Sequence, residues 1–302
     1  MEILGDGEKV IQENSVPSLF GVVNVYKPVG MTSHDVVSKL RRATKIKQIG
    51  HTGTLDPFAE GVLPICIGKA TRLIEYFEDD KAYIATVQFG KSTTTYDIEG
   101  DVVKEFDKKV SYEDIENALE NFEGEIFQIP PIYSAIKVNG KKLYDYARSG
   151  QSVKIKPRKV FIEEIKLQNF DESKQVAKIL VRCSKGTYIR SIANDLGEIL
   201  ACGGYLTKLV RIKAGRCLVE NSVRLENLTN FESVKSSIIN PIEMLPFRQV
   251  IVDDMQHKKI MHGQALKNFG IKHGDFVILI YNENVNAIGV ADENFIKIKK
   301  VF

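Results

Sequence analysis

Gly50-His51-Thr52-Gly53-Thr54-Leu55-Asp56-Pro57-Phe58-Ala59-Glu60-Gly61-Val62-Leu63-Pro64 is the most informative stretch of this 302-residue chain. Three glycines and two prolines punctuate it, around one histidine and two acids. That punctuation predicts a loop with little regular structure over 50–64. A backbone of this kind is demanding to specify, and such loops commonly position function on a rigid scaffold. A bare Asp-Pro, by contrast, is most often only a turn.

Working outward, residues 19–26 form an apolar run that reads as a buried strand, stopped by Lys27-Pro28 and Gly30. Ser33 is placed to cap a helix whose apolar stripe is Val36, Val37, Leu40 and Ala43. Residues 83–90 alternate like a half-buried strand. Ser111 with Asp114 spells a capping box, opening a helix that buries Ile115, Ala118, Leu119 and Phe122. Residues 128–131 break the chain. Residues 160–167 and 175–183 read as strands joined by a polar turn. Residues 187–200 have helical spacing and are expected to end at Gly203-Gly204.

Pro241 and Pro246 bracket a change of texture. Beyond them lie a short helix over 254–262 and strands over 276–281, 286–291 and 295–300. The expected organisation is a mobile leader over 1–18, an α+β domain over 19–246 with a mixed, largely antiparallel sheet, and a small β-rich module over 247–302.

Composition sets bounds rather than an answer. Hydrophobic residues make up 43% and charged residues 27%, which excludes wholesale disorder and collagen-like structure. Forty-two Lys+Arg against 39 Asp+Glu leave only +3. The charge is segregated, however. Residues 110–136 carry six acids and no base, whereas residues 137–159 carry eight bases and one acid. Further basic runs are Lys39, Arg41, Arg42, Lys45, Lys47 and Lys208, Arg211, Lys213, Arg216. Taken singly these are solvated faces; together they can line one polyanion groove.

Cys66, Cys183, Cys202 and Cys217 are far apart, with no C-x-x-C, and read as reduced thiols filling a core. No signal peptide or membrane span is expected, so the expected compartment is the cytoplasm. The five histidines form no H-E-x-x-H, and neither a P-loop nor G-x-G-x-x-G occurs. No metal site is expected.

The motif over 50–64 resembles the catalytic motif of TruB-type tRNA pseudouridine synthases, and Ile65-Cys66-Ile67-Gly68-Lys69-Ala70-Thr71-Arg72 continues it. The resemblance runs from about residue 20. Asn24-Val25-Tyr26-Lys27-Pro28-Val29-Gly30-Met31-Thr32-Ser33 is similar to the family's opening element. Pro130-Pro131-Ile132-Tyr133-Ser134-Ala135-Ile136-Lys137 is similar to a second signature, and Lys185-Gly186-Thr187-Tyr188-Ile189-Arg190-Ser191 to a third. Leu209-Val210-Arg211 is similar to a last one. Residues 247–302 resemble a PUA-type RNA-binding module. Tyr26 departs from the family, which often has Asp before Lys-Pro.

The resemblance implies isomerisation of uridine 55 in the T-loop of tRNA to pseudouridine. The base flips out, its glycosidic bond breaks, and its C5 rejoins C1′. No cofactor, metal or redox change is required. Asp56 is implied as the essential aspartate, acting either as nucleophile or as the base that gives a glycal-like intermediate. Arg190 is implied as its ion-pair partner and Tyr83 as the active-site tyrosine that stacks on the flipped base.

His51, Leu209, Lys27, Lys208 and Arg211 complete the expected substrate-side set. His51 is expected in the RNA cleft and Leu209 at the wall of the uracil pocket. Lys27 is expected beneath the loop as scaffolding, and Lys208 and Arg211 on phosphate. The expected partner is tRNA, through its T-arm and, by the C-terminal module, its acceptor stem, with no guide RNA and a monomeric protein. The rivals are a guide-RNA-dependent synthase, a tRNA-folding helper with little catalysis, and a two-carboxylate glycosidase using Asp56 and Glu60.

Overall fold

A computed structural model describes residues 19–134, 136–151 and 153–302. The leader expected over 1–18 lies outside the described residues. The chain folds as α+β around two principal sheets.

The first sheet has ten strands among the described residues. β1 (Gly21–Lys27) runs antiparallel to β3 (Glu60–Ile67), and β2 (Ile49–His51) pairs with the far end of β3. β4 (Lys81–Phe89) lies between β7 (Val176–Cys183) and β8 (Gly204–Ala214), and β6 (Arg158–Asp171) and β5 (Gly124–Gln128) extend the sheet beyond β7. Strands β1 and β3 are almost wholly buried on both faces, which is why they read as continuous Val/Ile/Leu runs rather than alternations.

Three local expectations are corrected. Residues 50–64 are not irregular throughout, since β2 and β3 take both ends and only 52–59 is loop. Helix α1 (Ser33–Thr44) is capped by Thr32, not Ser33: the Thr32 hydroxyl accepts from the Asp35 amide, and the Asp35 carboxylate accepts from the Thr32 amide. Ser33 is buried and turned to the loop instead. Helix α3 (Ile189–Ile199) stops before Gly203-Gly204. Ala201 and Gly203 take the left-handed turn, at φ 51° and 66°, and Gly204 already belongs to β8. The Ser111–Asp114 box does cap α2 (Tyr112–Leu119).

The second sheet has five strands, from Arg248–Ile251 to Phe295–Val301, with the helix Asp254–Met261 on one side. It is fastened to the first by a cluster of Leu73, Leu245, Ile278, Ile280, Val285 and Ile288. Arg72 Nη1 donates to the Val301 carbonyl at 3.0 Å, and Lys300 pairs with Glu75. The apolar cluster dominates. One buried Leu or Ile contributes roughly 1.5–3 kcal/mol, and an open ion pair about 0–1 kcal/mol.

All four cysteines are buried free thiols. Among the described residues no helix is long and apolar enough to cross a membrane.

Candidate active site

The site forms where sheet register brings three strands under the 52–59 loop. β8 runs antiparallel to β4 with Arg211 opposite Tyr83 and Leu209 opposite Ala85. On its other side β8 runs parallel to β3, with Arg211 beside Gly61. The fit is tight. Gly61 has φ 108°, and a Cβ there would meet the Arg211 carbonyl oxygen at 2.3 Å, so only glycine is accommodated.

The loop is held from below by three side chains. Arg211 is 1% exposed. Its Nε donates to the Val62 carbonyl at 2.7 Å, Nη2 to Gly53 at 3.1 Å and Nη1 to Thr54 at 3.3 Å. Lys27 is buried, with Nζ donating to the carbonyls of Met31 at 2.6 Å, Pro28 at 2.8 Å and Pro57 at 3.4 Å. Burial lowers its pKa to about 8, against the opposing pull of Asp56. Ser33 closes the third side: the Leu55 amide donates to its hydroxyl at 2.8 Å, and the hydroxyl donates to the Leu55 carbonyl at 3.2 Å. Two buried cations and a buried hydroxyl thus fix the backbone on both sides of Asp56.

Asp56 itself is gripped from above. Arg190, the second residue of α3 and 5% exposed, lies with Nε 2.9 Å from Asp56 Oδ2 and donates from Nη2 to Oδ1 at 3.2 Å. The same guanidinium reaches Asp97 Oδ2 at 3.3 Å and donates to the carbonyls of Thr95 and Tyr133 at 3.2 and 3.0 Å. Its helix is anchored by Gln128, whose amide exchanges two hydrogen bonds with the Tyr188 backbone. Burial pushes the Asp56 carboxyl above the usual aspartate range. Arg190 pulls it back, and Asp97 pushes it up again.

About a third of the Asp56 side chain stays open, facing a cleft of about 310 Å³. Tyr83, Leu209, Lys81, Ser134 and Tyr188 share the lining with the 52–56 loop. Tyr83 is buried, and burial raises its phenol pKa. The cleft thus presents an arginine-paired carboxylate beside an aromatic ring and an apolar wall, which suits a nucleoside.

The remaining expected residues divide. Lys27 lies beneath the loop, on the carbonyls of Met31, Pro28 and Pro57. Arg211, expected on phosphate, is placed instead as a loop clamp: it is 1% exposed, and its Nε, Nη1 and Nη2 each donate to a backbone carbonyl, so it faces the loop rather than solvent. Lys208 is 60% exposed and pairs with Glu60 at 2.9 Å. With Lys213 on Asp80 and Arg216 on Glu78, the third basic run is largely neutralised. Glu60 does not line the cleft with Asp56, so the glycosidase pair is not assembled. His51 sits at the head of the loop, outside the cleft lining, with Nδ1 buried and without a hydrogen-bond partner. Burial and the nearby Arg211 lower its pKa, favouring the neutral ring.

Asp97, the second carboxylate on Arg190, is a residue of the site that the sequence reading did not single out; it lies in Tyr96-Asp97-Ile98-Glu99-Gly100, outside any periodic element. Among the described residues no three His, Cys, Asp or Glu side chains converge as a metal site.

Comparison with known proteins places the chain among relatives. A family described as TruB family pseudouridylate synthase (N terminal domain) matches residues 41–189. The chain is 43% identical to tRNA pseudouridine synthase B of Clostridioides difficile (strain 630), over 89% of this chain and 93% of that one. It is likewise 43% identical to tRNA pseudouridine synthase B of Staphylococcus aureus (strain JH9), over 93% and 99%. A chain of a solved Cbf5-Nop10-Gar1 complex matches with TM-score 0.70 and 26% identity, covering 93% of this chain and 84% of that one.

Proposed function

The chain belongs to the TruB family of pseudouridylate synthases, and from that premise we propose that it isomerises uridine 55 in the T-loop of tRNA to pseudouridine. The observation that carries the reading is the ionic pairing of Asp56 with buried Arg190 at the edge of a cleft lined by Tyr83 and Leu209.

Extruding the uridine costs on the order of a few kcal/mol, which phosphate contacts elsewhere on the protein offset. The flipped base lies against Tyr83 and Leu209, with its ribose C1′ at the open side of Asp56. Arg190 keeps the carboxylate ionised and fixes its rotamer. Asp56 then either attacks the sugar or removes a sugar proton. The N1–C1′ bond breaks with its electron pair left on N1, the uracil turns within the cleft, C5 bonds to C1′ as the Asp56–C1′ bond breaks or the sugar proton is returned, and the C5 proton is removed while N1 takes one up. The Tyr83 hydroxyl is the group on the strand side that can reach that proton. None of these steps calls for a resident cofactor.

The protein acts without a guide RNA, as a cytoplasmic monomer, with residues 247–302 adding contact to the acceptor stem. The relatives at 43% identity carry the tRNA name, and this favours stand-alone action over the guided mode suggested by the Cbf5 likeness. Purified protein added to an unmodified tRNA transcript, with no other RNA, is expected to yield pseudouridine on nucleoside chromatography. Asp56→Asn should lower the rate by about 10³-fold or more while keeping tRNA affinity. Retained turnover in that variant would defeat the assignment, and turnover only with added RNA would favour the guided reading.

A further inference from the structure

Ser134 carries an observation that the roles so far leave unused. The residue is 6% exposed and lines the Asp56 cleft, and its buried Oγ has no hydrogen-bond partner. The Tyr188 phenol lies beside it without closing a bond of normal geometry. A buried hydroxyl left unpaired forfeits its solvation for nothing, so such atoms in native sites commonly await a ligand.

Ser134 is also held in place. The preceding carbonyl, of Tyr133, accepts from Arg190 Nη2 at 3.0 Å, and its own carbonyl accepts from the Tyr144 amide at 3.2 Å. The guanidinium that orients Asp56 therefore also sets the backbone of Ser134. The hydroxyl and the carboxylate are two arms of one frame around Arg190.

Resting on the proposed reaction, which puts ribose C1′ at Asp56, we propose that the Ser134 hydroxyl hydrogen-bonds the 2′-hydroxyl of the flipped nucleotide and makes the site selective for ribose. The 2′-hydroxyl is carried by the carbon bonded to C1′, so it is the sugar hydroxyl nearest the reacting centre. A serine can donate to it or accept from it, whichever the sugar conformation demands. Ser134 is thus a specificity-determining residue, and the 2′-hydroxyl is a mark by which RNA is told from DNA.

The test is a double-mutant cycle between enzyme and substrate, read by affinity so that it does not depend on turnover. Asp56→Asn and Asp56→Asn/Ser134→Ala are each titrated with two tRNAs, identical except for uridine or 2′-deoxyuridine at the target. Removing the 2′-hydroxyl should weaken binding to the first protein by about three- to tenfold. It should leave binding to the second unchanged. Any effect of the deoxy sugar on RNA conformation is common to both proteins and cancels.

Equal penalties in the two proteins, or no penalty in either, would overturn the contact. Circular dichroism of both variants guards against misfolding, and Ser134→Thr, which restores a hydroxyl, should restore discrimination. Failure of the underlying reaction is read separately, as pseudouridine formed by Asp56→Asn or none formed by the wild-type protein.

Discussion

Asp56 and Asp97 share one guanidinium. Arg190 lies 2.9 Å from the first and 3.3 Å from the second, and it is almost wholly buried. Two carboxylates thus converge on one buried cation, and both neighbours act on the proton affinity of Asp56. Asp97 raises the Asp56 pKa, and Arg190 lowers it.

The two neighbours should therefore move the acidic limb of the pH–rate profile in opposite directions. Activity needs Asp56 ionised, so it is lost as pH falls through the Asp56 pKa. Asp97→Asn removes a negative charge and should shift that limb to lower pH. Arg190→Met removes a positive charge and should shift it higher, with a much larger loss of rate. Both variants break a buried pair, and destabilisation of about 3–5 kcal/mol is expected. Profiles of kcat/KM for the two variants, taken at a temperature where each stays folded, provide the check. Shifts of the same sign would contradict the shared-cation geometry.

Arg211 and Lys208 lie three residues apart on one strand and should behave as different kinds of residue. Arg211 spends its donors on Val62, Gly53 and Thr54. Arg211→Lys is expected to lower the melting temperature and kcat, leaving the slope of log Kd against log salt as it was. Lys208 is exposed, in a single ion pair with Glu60. If phosphate takes that ammonium, Lys208→Ala should leave the melting temperature within a degree or so and reduce the slope by about 0.9. Fluorescence melting and a salt titration of each variant distinguish the two.

Why Arg211 misleads as sequence is physical. A basic residue near other basic residues is most simply read as surface charge, and nothing local reveals that β8 is flanked by β3 and β4. Burial of a cation is decided by strand order, which is a long-range property. Ser33 misleads in a related way. Thr32 and Ser33 are both competent caps, and the choice between them depends on the loop 22 residues away that claims Ser33. Asp97 is harder still, because its role exists only once α3 delivers Arg190 across the sheet. The loop around Asp56 is legible because its glycines and prolines state a local backbone demand, whereas the role of Asp56 within it is implied only by the resemblance.

The Thr32–Ser33 pair can be separated by experiment. Thr32→Ala removes a cap and should cost about 1 kcal/mol of stability with little effect on rate. Ser33→Ala removes both bonds to Leu55, the residue before Asp56, and should cost a similar amount of stability. Its rate should fall in addition, since Asp56 then has a looser backbone. Denaturant melts with single-turnover rates check both variants; equal rate losses would mean that the loop does not depend on Ser33.

Lys27 supplies the alkaline counterpart. Its pKa is pushed to about 8 by burial, well below that of an unfolded lysine. Between the two values the unfolded chain binds the proton and the folded one does not, so this residue's contribution to stability rises with pH across that window. Its contribution to the site runs the other way. An ammonium has three donors for the carbonyls of Met31, Pro28 and Pro57, whereas the neutral amine has two. The 3.4 Å bond to Pro57 is the longest and should be the first to go, releasing the backbone directly after Asp56. Turnover should therefore decline with a midpoint near pH 8 while the protein remains folded. Lys27→Met, slower at every pH, should lose that limb, and a Lys27→Met profile that still falls at this pH would assign the limb to another group.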